Sequence, residues 1–404
     1  MPWRRRVLIG VAGLLALSVA VMAAWAVAIG PEAVWRILRH GTTTVWDHTK
    51  YPGRPIAASA DPQPWNTLPV AETEDTIIDI EGDSWALADA LHQHDTLAFV
   101  IIDNGTLVYE WYRDDHGPAV PSMLFSVSKS VTSLLVGAAI HDGSIGSTAD
   151  PVTAYIPELA DSGFDRVTVE DALRMDTDLD YVEDDNPFGL HVEFNYTADL
   201  EGDVLDLQLK DETERAFRYK SGDNAVLGLI LDRATGSTSI TDYLGTRLLA
   251  RMGSEHGGVW STDDVGGLER TWCCLALTAR DLARFGQLIL NQGGWGDEQI
   301  VSPDYLEASF TPAYESEDWP SEYQGSLLTS YGYQWWLIGG EAIVALGKDG
   351  QYLYVHPSHR VIVVRLGESR GGIGWIDILH QIGTSTRIRE AGSGGEPAPP
   401  QASR

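Results

Sequence analysis

The chain has 404 residues, enough for a domain with a large core, and its hydrophobic content of 44% is typical of a globular protein. Acidic residues outnumber basic residues by 58 to 28, which gives a formal net charge of −30. This charge argues against nucleic acid as a partner, because few cations are present to neutralise a phosphate backbone.

The N-terminus has the pattern of a segment that enters a membrane. A basic leader, residues 1–6, precedes 23 residues without a charge, Val7 to Ile29, which is long enough to cross a bilayer as a helix. A cleaved signal peptide is the alternative, with Ala26-Val27-Ala28 as a cleavage site, but the length favours an uncleaved anchor. The arginines before the span predict a cytoplasmic N-terminus and an extracytoplasmic, periplasmic or extracellular, remainder.

The segment that follows is interpreted as a tether. Residues 30–75 contain six prolines and are expected to wrap a domain that extends over residues 76–388. Residues 389–404 are rich in Gly, Pro, Ala and Ser and are predicted to be a disordered tail.

The domain is predicted to begin with a short helix, Ser84 to His94, and a β-hairpin. Asn104-Gly105 separates two β-rich runs, Leu97–Ile102 and Thr106–Tyr112, which is a strong hairpin signal. Helical patterns follow at 131–140, 169–175, 223–234 and 278–292. The domain ends with three β-rich runs, at 342–346, 352–355 and 361–366, and a closing helix at 375–382. The order predicts an α+β fold, an α/β sandwich in which an antiparallel sheet built from both chain ends packs against an all-helical lobe.

A first chemical motif lies at the start of the helix that follows the hairpin. Ser126 would occupy the helix N-terminus, with Lys129 one turn later on the same face. A lysine among apolar residues has a lowered pKa and can accept the proton of a serine nucleophile, while the helix N-terminus favours a developing oxyanion. Ser-x-x-Lys has only two fixed positions and also arises by chance, but lysine is scarce here and this one interrupts an apolar helix.

Two later segments carry further candidates. Tyr219 and Ser221 flank Lys220, and in an extended segment their side chains would point the same way; a tyrosine beside a lysine could relay the serine proton. An ordinary packed tyrosine is the alternative. Gly347-Lys348-Asp349-Gly350 precedes the terminal strands, where a glycine-bracketed edge could offer a backbone N–H to an oxyanion, or could be a plain turn.

The acidic run and the cysteines have simpler interpretations. Residues 176–185 could suggest a calcium loop, but the glycine and glutamate of an EF-hand are missing, so a solvated loop at the rim of a cleft is expected. The only two cysteines, Cys273 and Cys274, are adjacent; neighbouring cysteines seldom bridge each other, so both are expected to pack as small apolar residues.

Together the motifs resemble the serine β-lactamase and penicillin-recognising superfamily, with its Ser-x-x-Lys, Tyr-x-Ser and Lys-x-Gly signatures in this order. Within it, the chain is most similar to amide hydrolases and esterases of the 6-aminohexanoate-dimer hydrolase type. The resemblance runs from about Leu97 to His380 and includes Phe217-Arg-Tyr219-Lys-Ser221, Thr278-Ala-Arg-Asp-Leu-Ala-Arg-Phe-Gly286, Tyr333-Gln-Trp335-Trp336 and Gly347-Lys-Asp-Gly350-Gln351.

The resemblance implies a role for each motif residue. Ser126 would be the nucleophile, Lys129 its base and Tyr219 the proton shuttle. Ser221 would hydrogen-bond within the site, and the backbone N–H groups of Ser126 and Lys348 would bind the oxyanion. Asp349 and Gly350 complete this third segment of the predicted binding site.

Two positions depart from the nylon-oligomer hydrolases. Asp349 stands where those enzymes have a histidine, and Asp185 falls near a substrate-contacting tyrosine, which puts that particular substrate in doubt. The function predicted is therefore an exported, membrane-anchored serine hydrolase of a small amide or ester, without metal or organic cofactor. A D-alanyl-D-alanine peptidase or β-lactamase is one alternative, and a penicillin-binding sensor without turnover is another.

Overall fold

The computed structural model describes residues 2–41, 43–68, 73–210, 216–315 and 326–385. The predicted tail, residues 389–404, lies outside them. The helices are α1 (Pro2–Ile29), α2 (Pro31–His40), α3 (Leu87–Gln93), α4 (Val127–Asp142), α5 (Val169–Arg174), α6 (Leu190–Tyr196), α7 (Leu200–Leu205), α8 (Ser221–Ala234), α9 (Ile240–Leu244), α10 (Ala279–Leu290), α11 (Pro303–Ser309) and α12 (Trp375–Thr384).

The strands are mostly short. They are β1 (Gly53–Ile56), β2 (Asn66–Thr67), β3 (Ile77–Ile80), β4 (Asp83–Ala86), β5 (Thr96–Asp103), β6 (Thr106–Tyr112), β7 (Ser122–Met123), β8 (Gly258–Ser261), β9 (Leu275–Leu277), β10 (Gly294–Trp295), β11 (Glu298–Gln299), β12 (Tyr314–Glu315), β13 (Ser330–Tyr331), β14 (Trp336–Ile338), β15 (Ala342–Gly347), β16 (Gln351–His356) and β17 (Val361–Gly367).

The main sheet is assembled from both ends of the domain, as predicted. Among the described residues its order is β12-β13-β14-β15-β16-β17-β5-β6-β2, and the last strand of the chain, β17, pairs antiparallel with β5. All eight residues of β5 are buried, because α10 covers one face of the sheet and α12 the other. Because both faces of this strand are buried, its sequence is a nearly continuous hydrophobic run and does not alternate with polar residues.

The second lobe is built around α4. Its residues from Val127 to Ala139 are all buried, and it packs against α8 and against β15 of the main sheet. Gly143 adopts a left-handed conformation, φ 82°, and ends the helix as the sequence indicates. The start of α4 therefore lies where the helical lobe meets the sheet, a common place for a binding cleft.

The segment at residues 30–75 is more structured than a tether. It wraps the domain, but β1 pairs with β8 through Gly53 and Ser261, and β2 pairs in parallel with β6. The folded unit therefore begins before Thr76. The helix predicted at Ser84–His94 begins later than expected, because Asp83–Ala86 forms a strand that pairs with Ile77–Ile80.

The N-terminal helix α1 is exposed. Trp3–Ile29 is long and apolar enough to cross a membrane, and none of its most apolar window is buried in the protein. Among the described residues, its contacts with other elements lie in its last turns and are chiefly with α2 and α6.

Candidate active site

Ser126 and Lys129 lie together at the N-terminus of α4. Phe125, in a left-handed conformation with φ 47°, turns the chain from β7 into the helix, and Ser126 occupies the N-cap position. The Nζ of Lys129 donates hydrogen bonds to Ser126 Oγ at 3.0 Å and to the carbonyl oxygen of Trp272 at 3.1 Å. The N–H groups of the first turn donate to the carbonyl oxygens of residues 124–126, and the positive end of the helix dipole favours negative charge at this end of α4.

The environment of Lys129 disfavours its charged form. The side chain is only 2% exposed, and burial lowers the pKa of this lysine to about 8, although the charge of Glu183 acts in the opposite direction. A lysine with such a pKa is partly neutral near pH 8 and can accept a proton from Ser126.

Tyr219 lies beside this pair. The Nζ of Lys129 is 4.8 Å from the centre of its ring, and the ring stacks on Trp336 with centroids 5.8 Å apart. Tyr219 and Ser221 both line the same cavity as Ser126. The structure therefore brings together Ser126, Lys129, Tyr219 and Ser221.

Lys220 does not serve the site as the sequence suggested. Its Nζ donates to the carbonyl and hydroxyl oxygens of Thr177 and lies 3.3 Å from a carboxylate oxygen of Asp223. The lysine near the Tyr219 ring is Lys129, which lies ninety positions earlier in the chain.

Glu183 is a site residue that the sequence analysis missed. Its two carboxylate oxygens accept hydrogen bonds from the backbone N–H and the hydroxyl of Ser221, at 2.7 and 2.6 Å. One of these oxygens lies 3.9 Å from the Nζ of Lys129. Burial raises the pKa of Glu183, but the charges of Lys129 and His191 outweigh burial and lower it to about 2.

The acidic run lies at a cleft, as expected, but the expectation that it is solvated throughout was wrong. Glu183 lies inside the cavity, and Asp176 is buried and accepts a hydrogen bond from Tyr314. Position in an acidic run was the only available signal, and it did not distinguish Glu183 from its exposed neighbours.

The third predicted segment is divided between the cavity and the interior. A Cβ at Gly347 would lie 2.3 Å from the carbonyl oxygen of Leu124, so only glycine lets β15 approach the residues before Ser126 so closely. Lys348 lines the cavity, whereas Asp349 and Gly350 lie in the turn behind it and do not. The carbonyl oxygen of Gly350 accepts a hydrogen bond of 2.7 Å from Arg365, which indicates a structural role.

The cavity that joins these groups has a volume of about 800 Å³. Its residues fall into a group around Ser126 and a more apolar group toward the end of α1; the latter comprises Trp25, Ile37, Pro187, Val192 and Tyr196. Among the described residues, no cluster of three or more His, Cys, Asp or Glu side chains is arranged to hold a metal ion.

The cysteines also line the cavity, and their expected state was wrong. Cys273 and Cys274 form a disulfide with each other. Cys274 adopts a left-handed conformation, φ 71°, and this local geometry brings two neighbouring sulfurs together. The bridge directly follows Trp272, whose carbonyl oxygen holds Lys129.

A model of the family described as Beta-lactamase matches residues 86–373, which is most of the chain. The chain belongs to this beta-lactamase family. A 6-aminohexanoate-dimer hydrolase of Paenarthrobacter ureafaciens is 30% identical over 298 residues, covering 69% of this chain and 74% of that protein. Family membership and this relative show that the protein is a serine hydrolase of the amidase and esterase type.

Several solved structures share the fold of this chain. One from Bacillus anthracis, named as a 6-aminohexanoate-dimer hydrolase, has a TM-score of 0.68 and 22% identity, and the match covers 86% of this chain and 93% of that one. A penicillin-binding protein homologue from Caulobacter crescentus has a TM-score of 0.55 and 16% identity over 74% of this chain and 92% of its own. These structures confirm the predicted α+β fold, and the family match over residues 86–373 confirms the predicted superfamily.

Proposed function

We propose that this beta-lactamase family member hydrolyses a small amide or ester through an acyl-enzyme on Ser126. The observation that carries the proposal is the 3.0 Å hydrogen bond between Ser126 Oγ and the buried Nζ of Lys129. Burial favours the neutral amine, and the neutral amine is the form that accepts the serine proton.

The reaction has two halves. Ser126 Oγ forms a bond to the substrate carbonyl carbon, and its proton passes to Lys129. The tetrahedral intermediate collapses when the bond to the leaving nitrogen or oxygen breaks, and Tyr219 relays the proton to that atom. Water then attacks the acyl carbon and its proton passes to the same groups. The bond between Ser126 Oγ and the acyl carbon breaks, the proton is returned to Ser126 Oγ, and the carboxylic acid departs.

The remaining groups stabilise the oxyanion and adjust the basicity of Lys129. The backbone N–H of Ser126 and that of Lys348 bind the oxyanion of each intermediate. Ser221 donates two hydrogen bonds to the Glu183 carboxylate and so holds one of its oxygens 3.9 Å from the Nζ of Lys129. Glu183 thereby sets how readily Lys129 loses its proton.

The protein acts at a membrane in this proposal. The helix α1 is the anchor, with residues 1–6 in the cytoplasm and the catalytic domain outside, which the exposed apolar surface of the helix supports. The relative from Paenarthrobacter ureafaciens is named for a linear amide, so short linear amides belong among the first substrates to test.

The test compares three substrates on the full-length protein in detergent. A p-nitrophenyl ester and an anilide of the same acyl group should be turned over repeatedly, and Ser126→Ala should turn over neither. Faster turnover of a penicillin would instead favour a β-lactamase, and a stable penicillin adduct with no turnover of any substrate would favour a sensor.

A further inference from the structure

The cavity extends from Ser126 to the membrane-proximal end of α1. Trp25 lines it, donates a hydrogen bond from Nε1 to the carbonyl oxygen of Pro187, and lies with its ring 6.4 Å from that of Phe188. Ile37 of α2 and Val192 of α6 continue the same wall and pack together with Trp25. The last turns of the apolar helix therefore form part of the substrate cavity.

The rest of α1 has no protein cover. Side chains along it are widely exposed, for example Leu8 and Leu14 at 67% and Val19 at 68%. At 1.5 Å per residue, its 27 apolar-span residues reach about 40 Å, which exceeds the roughly 30 Å hydrocarbon core of a bilayer. Hydrocarbon is the environment that suits this surface, and Trp25 lies near its end, where interfacial tryptophans concentrate.

An exposed apolar rim continues from this end of the helix. We call it the rim; it consists of Trp35 and Leu38 on α2 and Phe188 and Leu190 beside the cavity, with exposed fractions of 61%, 58%, 50% and 38%. The helix α2 packs on α1, and Phe188 contacts Trp25, so the rim adjoins the anchor. With a net charge of −30, the protein gains nothing from anionic lipids, so apolar contact with a zwitterionic surface is the favoured association.

We propose that the rim rests on the bilayer and that the cavity receives amphiphilic esters or amides from it, with their alkyl chain along Trp25, Ile37 and Val192. This inference rests on the proposed function and names its substrate class. A volume of about 800 Å³ holds such a chain together with the reacting group. Each methylene moved from water to an apolar wall favours binding by up to about fourfold.

The test uses the full chain reconstituted in phosphatidylcholine vesicles, with p-nitrophenyl acetate and p-nitrophenyl decanoate as substrates. Wild type should show at least tenfold higher kcat/KM for the decanoate. Trp35→Ser combined with Phe188→Ser, two rim residues outside the cavity, should lower the decanoate value at least fivefold and leave the acetate value within twofold. Ile77→Ser, an equally exposed apolar residue on β3, should change neither.

The outcomes separate the two proposals. Absence of acetate hydrolysis would overturn the proposed function and this inference together. Acetate hydrolysis without a decanoate preference, or an equal loss of both activities in the rim variant, would overturn the inference alone. Purified protein whose intact mass lacks residues 1–28 would also overturn it, because Trp25 would then be absent from the cavity.

Discussion

The charge of Glu183 offers a direct way to test how Lys129 works. Glu183→Gln keeps the size of the side chain but removes a negative charge 3.9 Å from the Nζ of Lys129. At that distance the attraction is about 1 kcal/mol in water and about 4 kcal/mol at an effective dielectric constant of 20. Because the Glu183 side chain is 23% exposed, the lower part of this range applies, which corresponds to about one pKa unit.

The direction in which the pH profile moves follows from the role of Lys129 as the base. The wild-type kcat/KM should rise with pH as Lys129 loses its proton, with a midpoint near its pKa of about 8. Without Glu183 the protonated amine is less stabilised, so the rise should move about one unit toward lower pH, even if the plateau falls because Ser221 loses a hydrogen-bond acceptor. Hydrolysis of p-nitrophenyl acetate between pH 5 and 10 measures this.

A matched control is available in the same cavity. Asp185→Asn removes another negative charge from the cavity lining, but Asp185 is not among the charges that shift the pKa of Lys129, so the profile should stay where it is. An unmoved profile in Glu183→Gln, or a shift toward higher pH, would refute the assignment of Lys129 as the base.

Three further changes have expected outcomes. Lys129→Met should abolish hydrolysis yet raise Tm at pH 7. The reason is that lowering the lysine pKa from 10.5 to about 8 destabilises the folded state by up to about 3 kcal/mol below pH 8, and this destabilisation fades as pH rises toward 10.5. A lower Tm for the variant would contradict this. Tyr219→Phe should lower kcat by about 10²-fold or more while its ring stays stacked on Trp336, and near-normal kcat would exclude Tyr219 from proton transfer. Replacing Cys273 and Cys274 by serine should shift Tm by less than about 3 °C, because a bridge between adjacent residues removes little entropy from the unfolded chain, and a larger loss in a thermal scan would show that the bridge stabilises the fold in another way.

Features encoded locally could be read from the sequence. The hairpin at Asn104-Gly105, the buried α4 and the helix predicted at 169–175 each depend on neighbouring residues, and all three are present in the structure. The Ser126–Lys129 contact belongs to the same class, because one helical turn brings the two side chains together.

Features that depend on distant parts of the chain could not be read in this way. Glu183 reaches Lys129 only because the loop before α6 folds back on α8, and nothing in the acidic run itself indicates that path. Lys220 was misassigned because its nearest neighbour in sequence, Tyr219, faces the cavity while Lys220 faces Thr177. The bridge between Cys273 and Cys274 depends on a left-handed residue that composition does not reveal.

The most direct test of the central claim is the intact mass of the full-length protein after treatment with a fluorophosphonate. Wild type should carry one adduct, located at Ser126 by peptide mapping, and Ser126→Ala should carry none. Labelling should become faster as pH rises through about 8, the pKa of Lys129. Folded protein that stays unlabelled, or that is labelled equally in Ser126→Ala, would contradict the claim that Ser126 is the activated nucleophile.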